Sequence, residues 1–210
     1  MPVQMSDAGE LAGQLRAVVG DERVLTAIAS LPREEFVPAY ERDRAWENVA
    51  LPIACEQTIS QPLVVARMLE LLAPRADDRV LDVGTGSGYH AALLAMLAAH
   101  VWTLERHPEL SAQARATIGR LGLDNVEFAV GDGWEGLPAQ APFDAINVAA
   151  ATGSEVPPAL EQQLADGGRL VAPVGTVDQH LTLVQRTGAG LRRRQLEAVR
   201  FVPLVRGAAG

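Results

Sequence analysis

Cysteine is nearly missing from this chain: Cys55 is the only one in 210 residues. One thiol cannot close an intramolecular disulfide, and it cannot build a cysteine-based zinc site. Basic charge is also short. Lys and Arg number 18 against 26 Asp and Glu, which leaves a formal net charge of −8. Neutralising nucleic-acid phosphates takes clustered cations, and the one dense cluster, Arg192-Arg193-Arg194, is too short for that. No nucleic-acid partner is expected. Long apolar runs are absent as well. The longest, Ala91 to Ala99, falls far short of the roughly 20 residues that span a bilayer, so no membrane partner is expected. Residues 1–20 lack the basic start and apolar core of a secretory signal. A cytoplasmic protein is the expectation. There is no internal repeat and no low-complexity stretch.

What is present is a globular balance. Hydrophobic residues make up 48% and charged residues 21%, which excludes a disordered tail protein. The length suits one domain with a sizeable core. The first 30 residues read as two helical pieces. Leu11, Leu15, Val18 and Val19 share one face, as do Val24, Leu25 and Ile28. Gly20-Asp21 separates the pieces and is placed to cap the second. A stretch from Leu31 to Pro62 follows, with prolines at 32, 38, 52 and 62 and no clear period. A loop of that length inside a compact domain is usually functional or disordered, and Trp46, Ile53 and Ile59 argue against disorder. Pro62 suits the first position of a helix that continues through Leu63 to Leu72.

From residue 79 the pattern alternates. Strands are predicted at 79–83, 101–105, 126–130, 143–148 and 169–173, and helices at 88–99, 108–121 and 156–164. Such β-α-β-α order implies a doubly wound α/β fold with a mostly parallel sheet covered on both faces. The tail alternates over His180 to Arg186, turns at Gly188-Ala189-Gly190 and alternates again within Leu191 to Leu204. That reads as an antiparallel hairpin added to the sheet. The expected organisation is one domain: an N-terminal helical cap and loop over 1–62, an α/β core over 63–175 and a hairpin over 176–210.

Three features lie on successive strand ends. Val83-Gly84-Thr85-Gly86-Ser87-Gly88 is a glycine-rich turn between a strand and a helix. Glycine lets the backbone approach a ligand closely, and the helix start offers free N–H groups. The spacing is G-x-G-x-G, not the dinucleotide G-x-G-x-x-G. Glu105 ends the next strand, where an acid can accept hydrogen bonds from ribose hydroxyls. Gly131-Asp132-Gly133-Trp134-Glu135-Gly136 follows the third strand, and an Asp there can accept from an adenine amino group. Together they describe a pocket for an adenosyl ligand.

These residues resemble the class I S-adenosylmethionine-dependent methyltransferases. The resemblance extends over about residues 30 to 206. Leu31-Pro32-Arg33-Glu34-Glu35-Phe36-Val37-Pro38, Gln57-Thr58-Ile59-Ser60-Gln61-Pro62, Gly84 to Tyr89, Gly131 to Gly136, Glu155-Val156-Pro157-Pro158-Ala159-Leu160 and Val199-Arg200-Phe201-Val202-Pro203-Leu204 all resemble the protein-L-isoaspartate O-methyltransferase family. The Thr-Ile-Ser-Gln-Pro run separates that family from other methyltransferases.

The resemblance implies methyl transfer from S-adenosylmethionine to the free carboxylate of isoaspartyl residues in damaged proteins or peptides, starting their repair. Carried over, Ser60 is the active-site serine, with Thr58 and Ile59 in the same substrate loop and Val202 bordering the peptide groove. Gly84, Thr85, Gly86, Gly88, Glu105, Asp132 and Gly133 are implied to line the cofactor site. The free N–H groups at the helix start near Pro62 are expected to favour an anion. No metal is expected: His90, His100, His107 and His180 have no ligand spacing. Cys55 reads as a packing residue, and a monomer is the expected state.

Two segments depart from the family. Ala54, Cys55 and Glu56 stand where it commonly has glycines and a bulky ring residue, and Val148 to Ser154 replaces a Thr-Ala-rich turn. Both lie on the expected substrate side. They keep two alternatives open: methylation of an ordinary aspartate in a dedicated peptide, and a cofactor-binding module without catalysis.

Overall fold

The computed structural model describes residues 7–207. Residues 1–6 and 208–210, the outer ends of the predicted cap and hairpin, lie outside the described residues. The N-terminal segment forms two helices, α1 (Ala8–Leu15) and α2 (Glu22–Ser30). Asp7 accepts from Glu10 N–H and Asp21 from Arg23 N–H, so each aspartate satisfies a donor that has no partner inside its helix. One expectation fails here. Helix α1 stops at Leu15, so Val18 falls in a turn outside the helical period and is 55% exposed, while Leu11, Leu15 and Val19 are buried.

The proline-punctuated stretch holds two 3-10 turns, Arg33–Phe36 and Ala39–Arg44, and a small hairpin of β1 (Leu51–Pro52) and β2 (Thr58–Ile59). Cys55 and Glu56 at its tip have φ of 56° and 57°. Two successive left-handed residues make the type I′ turn whose twist suits a hairpin, a conformation that favours Gly or Asn. Helix α3 (Pro62–Leu72) begins on its proline as expected.

The core then alternates as β3 (Arg79–Val83), α4 (Tyr89–Leu97), β4 (His100–Glu105), α5 (Pro108–Arg120), β5 (Val126–Val130), β6 (Phe143–Val148), α6 (Pro158–Gln162) and β7 (Leu164–Val174), followed by β8 (Gln179–Thr187) and β9 (Gly190–Val199). The sheet order is β5-β4-β3-β6-β7-β8-β9. Strands β3 to β7 pair in parallel, and β8 and β9 pair antiparallel. Helix α6 is shorter than the predicted 156–164, and β7 is longer than 169–173, because the chain enters the strand directly at Leu164.

Side chains on alternate strand positions feed two cores. Val80, Val101, Ala145 and Val171 join the cluster under α1 to α4, while Leu81, Trp102, Ile146 and Leu170 join the cluster that contains Leu160 of α6. Burial on both faces is what a parallel sheet requires. Strand order reverses between β3 and its two neighbours, β4 and β6, and a crevice opens at such a switch point. Beyond Val199 the chain leaves the hairpin and crosses back to this edge. Ala151 N–H donates to Val202 O and Leu204 N–H to Ala151 O, both at 2.8 Å. Among the described residues no helix is long and apolar enough to cross a membrane.

Candidate active site

The crevice at the switch point is a cleft of about 790 Å³, counting the space open at its mouth. Of the expected site residues, Thr58, Ile59, Ser60, Gly84, Thr85, Gly86, Glu105, Gly133 and Val202 all line it. They come from the β1–β2 hairpin, the ends of β3 and β4, the turn after β5 and the returning C-terminal segment.

The glycine turn is held from below by a polar row in the sheet. Asp82, Thr103 and Asn147 sit side by side on β3, β4 and β6. Asn147 Nδ2 donates to Asp82 Oδ1 at 2.7 Å, and Thr103 Oγ1 donates to Asp82 Oδ2 at 2.9 Å. Thr103 Oγ1 and Thr85 Oγ1 lie 2.7 Å apart, so the row ties the turn to the strands. Burial pushes the Asp82 carboxyl up to about 6, against the lowering pull of its two donors. The sequence signal for this support is an acid, Asp82, among the apolar residues Val80, Leu81 and Val83.

Glu105 closes the turn from the next strand. Its Oε2 accepts from Gly86 N–H at 2.9 Å, and its Oε1 accepts from Arg106 N–H at 2.9 Å and His107 N–H at 3.1 Å. An ionised carboxylate has about four acceptor sites, so capacity for a ribose hydroxyl remains. Gly84 and Gly86 have φ of +90° and +53°, which side chains rarely adopt. A Cβ on Gly86 would lie 3.7 Å from Ile53 Cδ1 and fill the gap between turn and hairpin.

Two of the expected cofactor residues, Gly88 and Asp132, are not among those that line this cleft. A Cβ on Gly88 would meet Ala114 Cβ at 3.0 Å and Ile118 Cδ1 at 3.2 Å, so the glycine lets α4 and α5 pack. Asp132 Oδ1 accepts from Trp134 N–H at 2.8 Å and its Oδ2 from Gly207 N–H at 2.7 Å, which closes the turn and, as at Glu105, leaves acceptor sites over. Its neighbour Gly133 does line the cleft, where a Cβ would stand 2.8 Å from both Val83 Cγ1 and Leu204 Cδ1. The expected anion site at the start of α3 is also smaller than the sequence suggests. Pro62 has no N–H and Leu63 N–H donates to Asn48 Oδ1 at 3.0 Å, which leaves Val64.

The acceptor side adds residues that the sequence did not single out. Tyr89 and His90 line the cleft, and Tyr89 Oη and His90 Nε2 are buried without a partner among the described residues. Burial raises the Tyr89 phenol to about 12 and lowers the His90 imidazole to about 4, so both are neutral at ordinary pH. Leu204 is held over the cleft by Trp134 Nε1, which donates to its carbonyl at 2.9 Å. A second groove continues from the first and shares Thr58, Ser60, Ala149 and Val202 with it. Cys55 is half-buried at the hairpin tip, with Sγ 3.9 Å from Glu109 Oε2.

Residues 9–209 match the family model described as protein-L-isoaspartate(D-aspartate) O-methyltransferase. The chain belongs to that family. It is therefore a protein carboxyl methyltransferase that uses S-adenosylmethionine. The protein-L-isoaspartate O-methyltransferase of Aeromonas hydrophila subsp. hydrophila is 54% identical over 90% of this chain and 92% of its own. That of Shewanella halifaxensis is 49% identical over 98% of both. A Plasmodium falciparum protein-L-isoaspartate O-methyltransferase, solved with S-adenosyl-L-homocysteine, is 26% identical and superimposes with a TM-score of 0.80 over 95% of this chain and 99% of its own. None of these relatives favours the aspartate-tailoring or inactive-module alternatives.

Proposed function

We propose that the cleft places a cofactor held by the glycine turn and Glu105 against an isoaspartyl carboxylate held by the Ser60 turn, so that the methyl group passes between two walls of one cavity. The observation that carries this reading is the joint presence of Ser60, Gly86 and Glu105 on that single cavity. S-adenosylmethionine, when bound, supplies an activated methyl group on a sulfonium. Gly84, Thr85, Gly86 and Gly133 give its backbone-lined berth, and Glu105 takes the ribose hydroxyls.

The acceptor needs no strong base, because an isoaspartyl carboxylate is ionised at neutral pH. What remains for the protein is alignment and exclusion of water, which can supply up to roughly 7–11 kcal/mol. Ser60 orients the carboxylate by donating a hydrogen bond and is not a nucleophile. Thr58, Ile59 and Val202 border the peptide. The second groove, with Arg200 among its lining residues, leads the flanking peptide away. The acceptors are proteins or peptides carrying L-isoaspartyl residues, and the protein works as a cytoplasmic monomer. The monomer reading is supported by a cleft completed within one chain.

Ser60→Ala tests the assignment. Transfer at saturating peptide is expected to fall about tenfold or more, the worth of a hydrogen bond to a charged group, with S-adenosylhomocysteine affinity unchanged. Normal transfer at saturating peptide removes Ser60 from the mechanism.

A further inference from the structure

Arg33 is the largest side chain among those fully shielded from solvent, and its guanidinium has no ion-pair partner among the described residues. A buried charge of this kind is costly unless its donors are satisfied. They are satisfied mainly by backbone. Nε donates to Ala45 O at 2.8 Å, and Nη2 donates to Ser60 O at 2.9 Å and reaches Val49 O at 3.5 Å. Three carbonyls from three points of the irregular cap therefore converge on one side chain, and one belongs to the residue placed against the acceptor. The guanidinium carbon stands 4.8 Å over the Tyr89 ring, which itself lines the cleft. Nη1 makes no well-aligned hydrogen bond; the Tyr89 phenol is the neighbour that favours the charge there.

The start of α3 has little left to attract an anion, with Pro62 lacking an N–H and Leu63 bonded to Asn48. The chain as a whole carries a net charge of −8, so an anionic acceptor approaches against the overall field. We infer that Arg33 is the positioning residue of the acceptor site: its fork fixes the Ser60 turn, and its buried, unpaired charge makes that turn attractive to a carboxylate. The inference rests on the reading of Ser60 as the carboxylate-orienting group. Arg33 is not among the residues that touch the cleft, so it acts through the Ser60 backbone and through its field. Arginine suits the task because its planar fork can serve several carbonyls at fixed angles, which a lysine ammonium cannot.

The test compares two peptides of one sequence, one with an isoaspartyl carboxylate and one with the neutral isoasparaginyl amide, as ligand and competitive inhibitor. Arg33→Gln is expected to weaken the preference for the charged peptide about tenfold, with S-adenosylhomocysteine affinity held within about twofold. Arg33→Lys keeps the charge and loses the fork, so it is expected to keep the preference and lower kcat. A preference unchanged in Arg33→Gln overturns the inference, as does a parallel loss of cofactor affinity in both variants, which marks a merely structural role. Should Arg33→Gln fail to fold, loss of the preference in folded Arg33→Lys overturns it, and retention with lowered kcat supports it. Ser60→Ala, measured alongside, separates the layers: full transfer by that variant defeats the Ser60 reading itself, whereas a crippled Ser60→Ala beside an unaltered Arg33→Gln defeats only the role of Arg33.

Discussion

The cofactor wall of the cleft ends in the long parallel strands of the main sheet; the acceptor wall is built from a hairpin of two-residue strands and irregular segments. On the first wall, the Asp82-Thr103-Asn147 row and the Glu105 carboxylate fix the glycine turn through partners on neighbouring strands. On the second, single side chains clamp distant backbone. Arg33 holds Ser60, Asn48 holds the start of α3, and Gln179 accepts from Phe201 N–H at 2.6 Å and donates to Phe201 O at 3.1 Å. Regular pairing makes the cofactor wall tolerant of single losses, while each clamp on the acceptor wall governs a whole segment. Stability and cofactor affinity should therefore respond to changes in the sheet row, and acceptor chemistry to changes in the clamps.

The largest effect expected is on the pH dependence of stability. Folded Asp82 keeps its proton to about pH 6, whereas the unfolded chain releases it near 3.8, so its contribution is present at low pH and lost as pH rises to 6. Folded His90 stays neutral down to about pH 4, whereas the unfolded chain protonates near 6.5, so its contribution is present above 6.5 and lost as pH falls to 4. The two oppose each other over the same window, each by up to roughly 3 kcal/mol. Denaturant unfolding at several pH values should show stability rising more steeply with pH in Asp82→Asn than in the parent chain, and less steeply in His90→Gln. Parallel curves for all three proteins would break the assignment of these two buried groups to opposite slopes.

Glu105→Gln comes next. It weakens the acceptor of Gly86 N–H and of the ribose, and a drop of about 30-fold in S-adenosylhomocysteine affinity is expected by calorimetry. Peptide KM at saturating cofactor should stay within about twofold. A change confined to peptide KM would reverse the roles of the two walls. The smallest effect is at the hairpin tip. Glu56 holds φ of 57°, and Glu56→Gly should raise unfolding free energy by roughly 0.5–1 kcal/mol as the strain is relieved. A loss of stability there would mean that the Glu56 side chain makes a contact worth more than the strain.

The same division decided how much the sequence disclosed. The parallel core was legible because strand, glycine turn and helix follow one another within a few residues, and the positions of Gly84, Gly86 and Glu105 followed from it. Ser60, Thr58 and Val202 were legible through motif resemblance, not through periodicity. The contacts that Gly88 and Asp132 make with Ala114 and Gly207 were not legible, because these partners are remote in sequence. Val18 was misplaced because nothing local marks the end of α1. Arg33 stayed hidden for a related reason: its carbonyl acceptors lie 12 and 27 residues away, and no local pattern reports a side chain that will be buried against them.

The central claim is that one cleft brings an activated methyl group to an isoaspartyl carboxylate. It is tested most directly by incubating the protein with methyl-labelled S-adenosylmethionine and two peptides that differ only in carrying isoaspartate or aspartate. Label on the isoaspartyl peptide alone is the result expected; label on the aspartyl peptide, or cofactor binding without transfer to either, would contradict it.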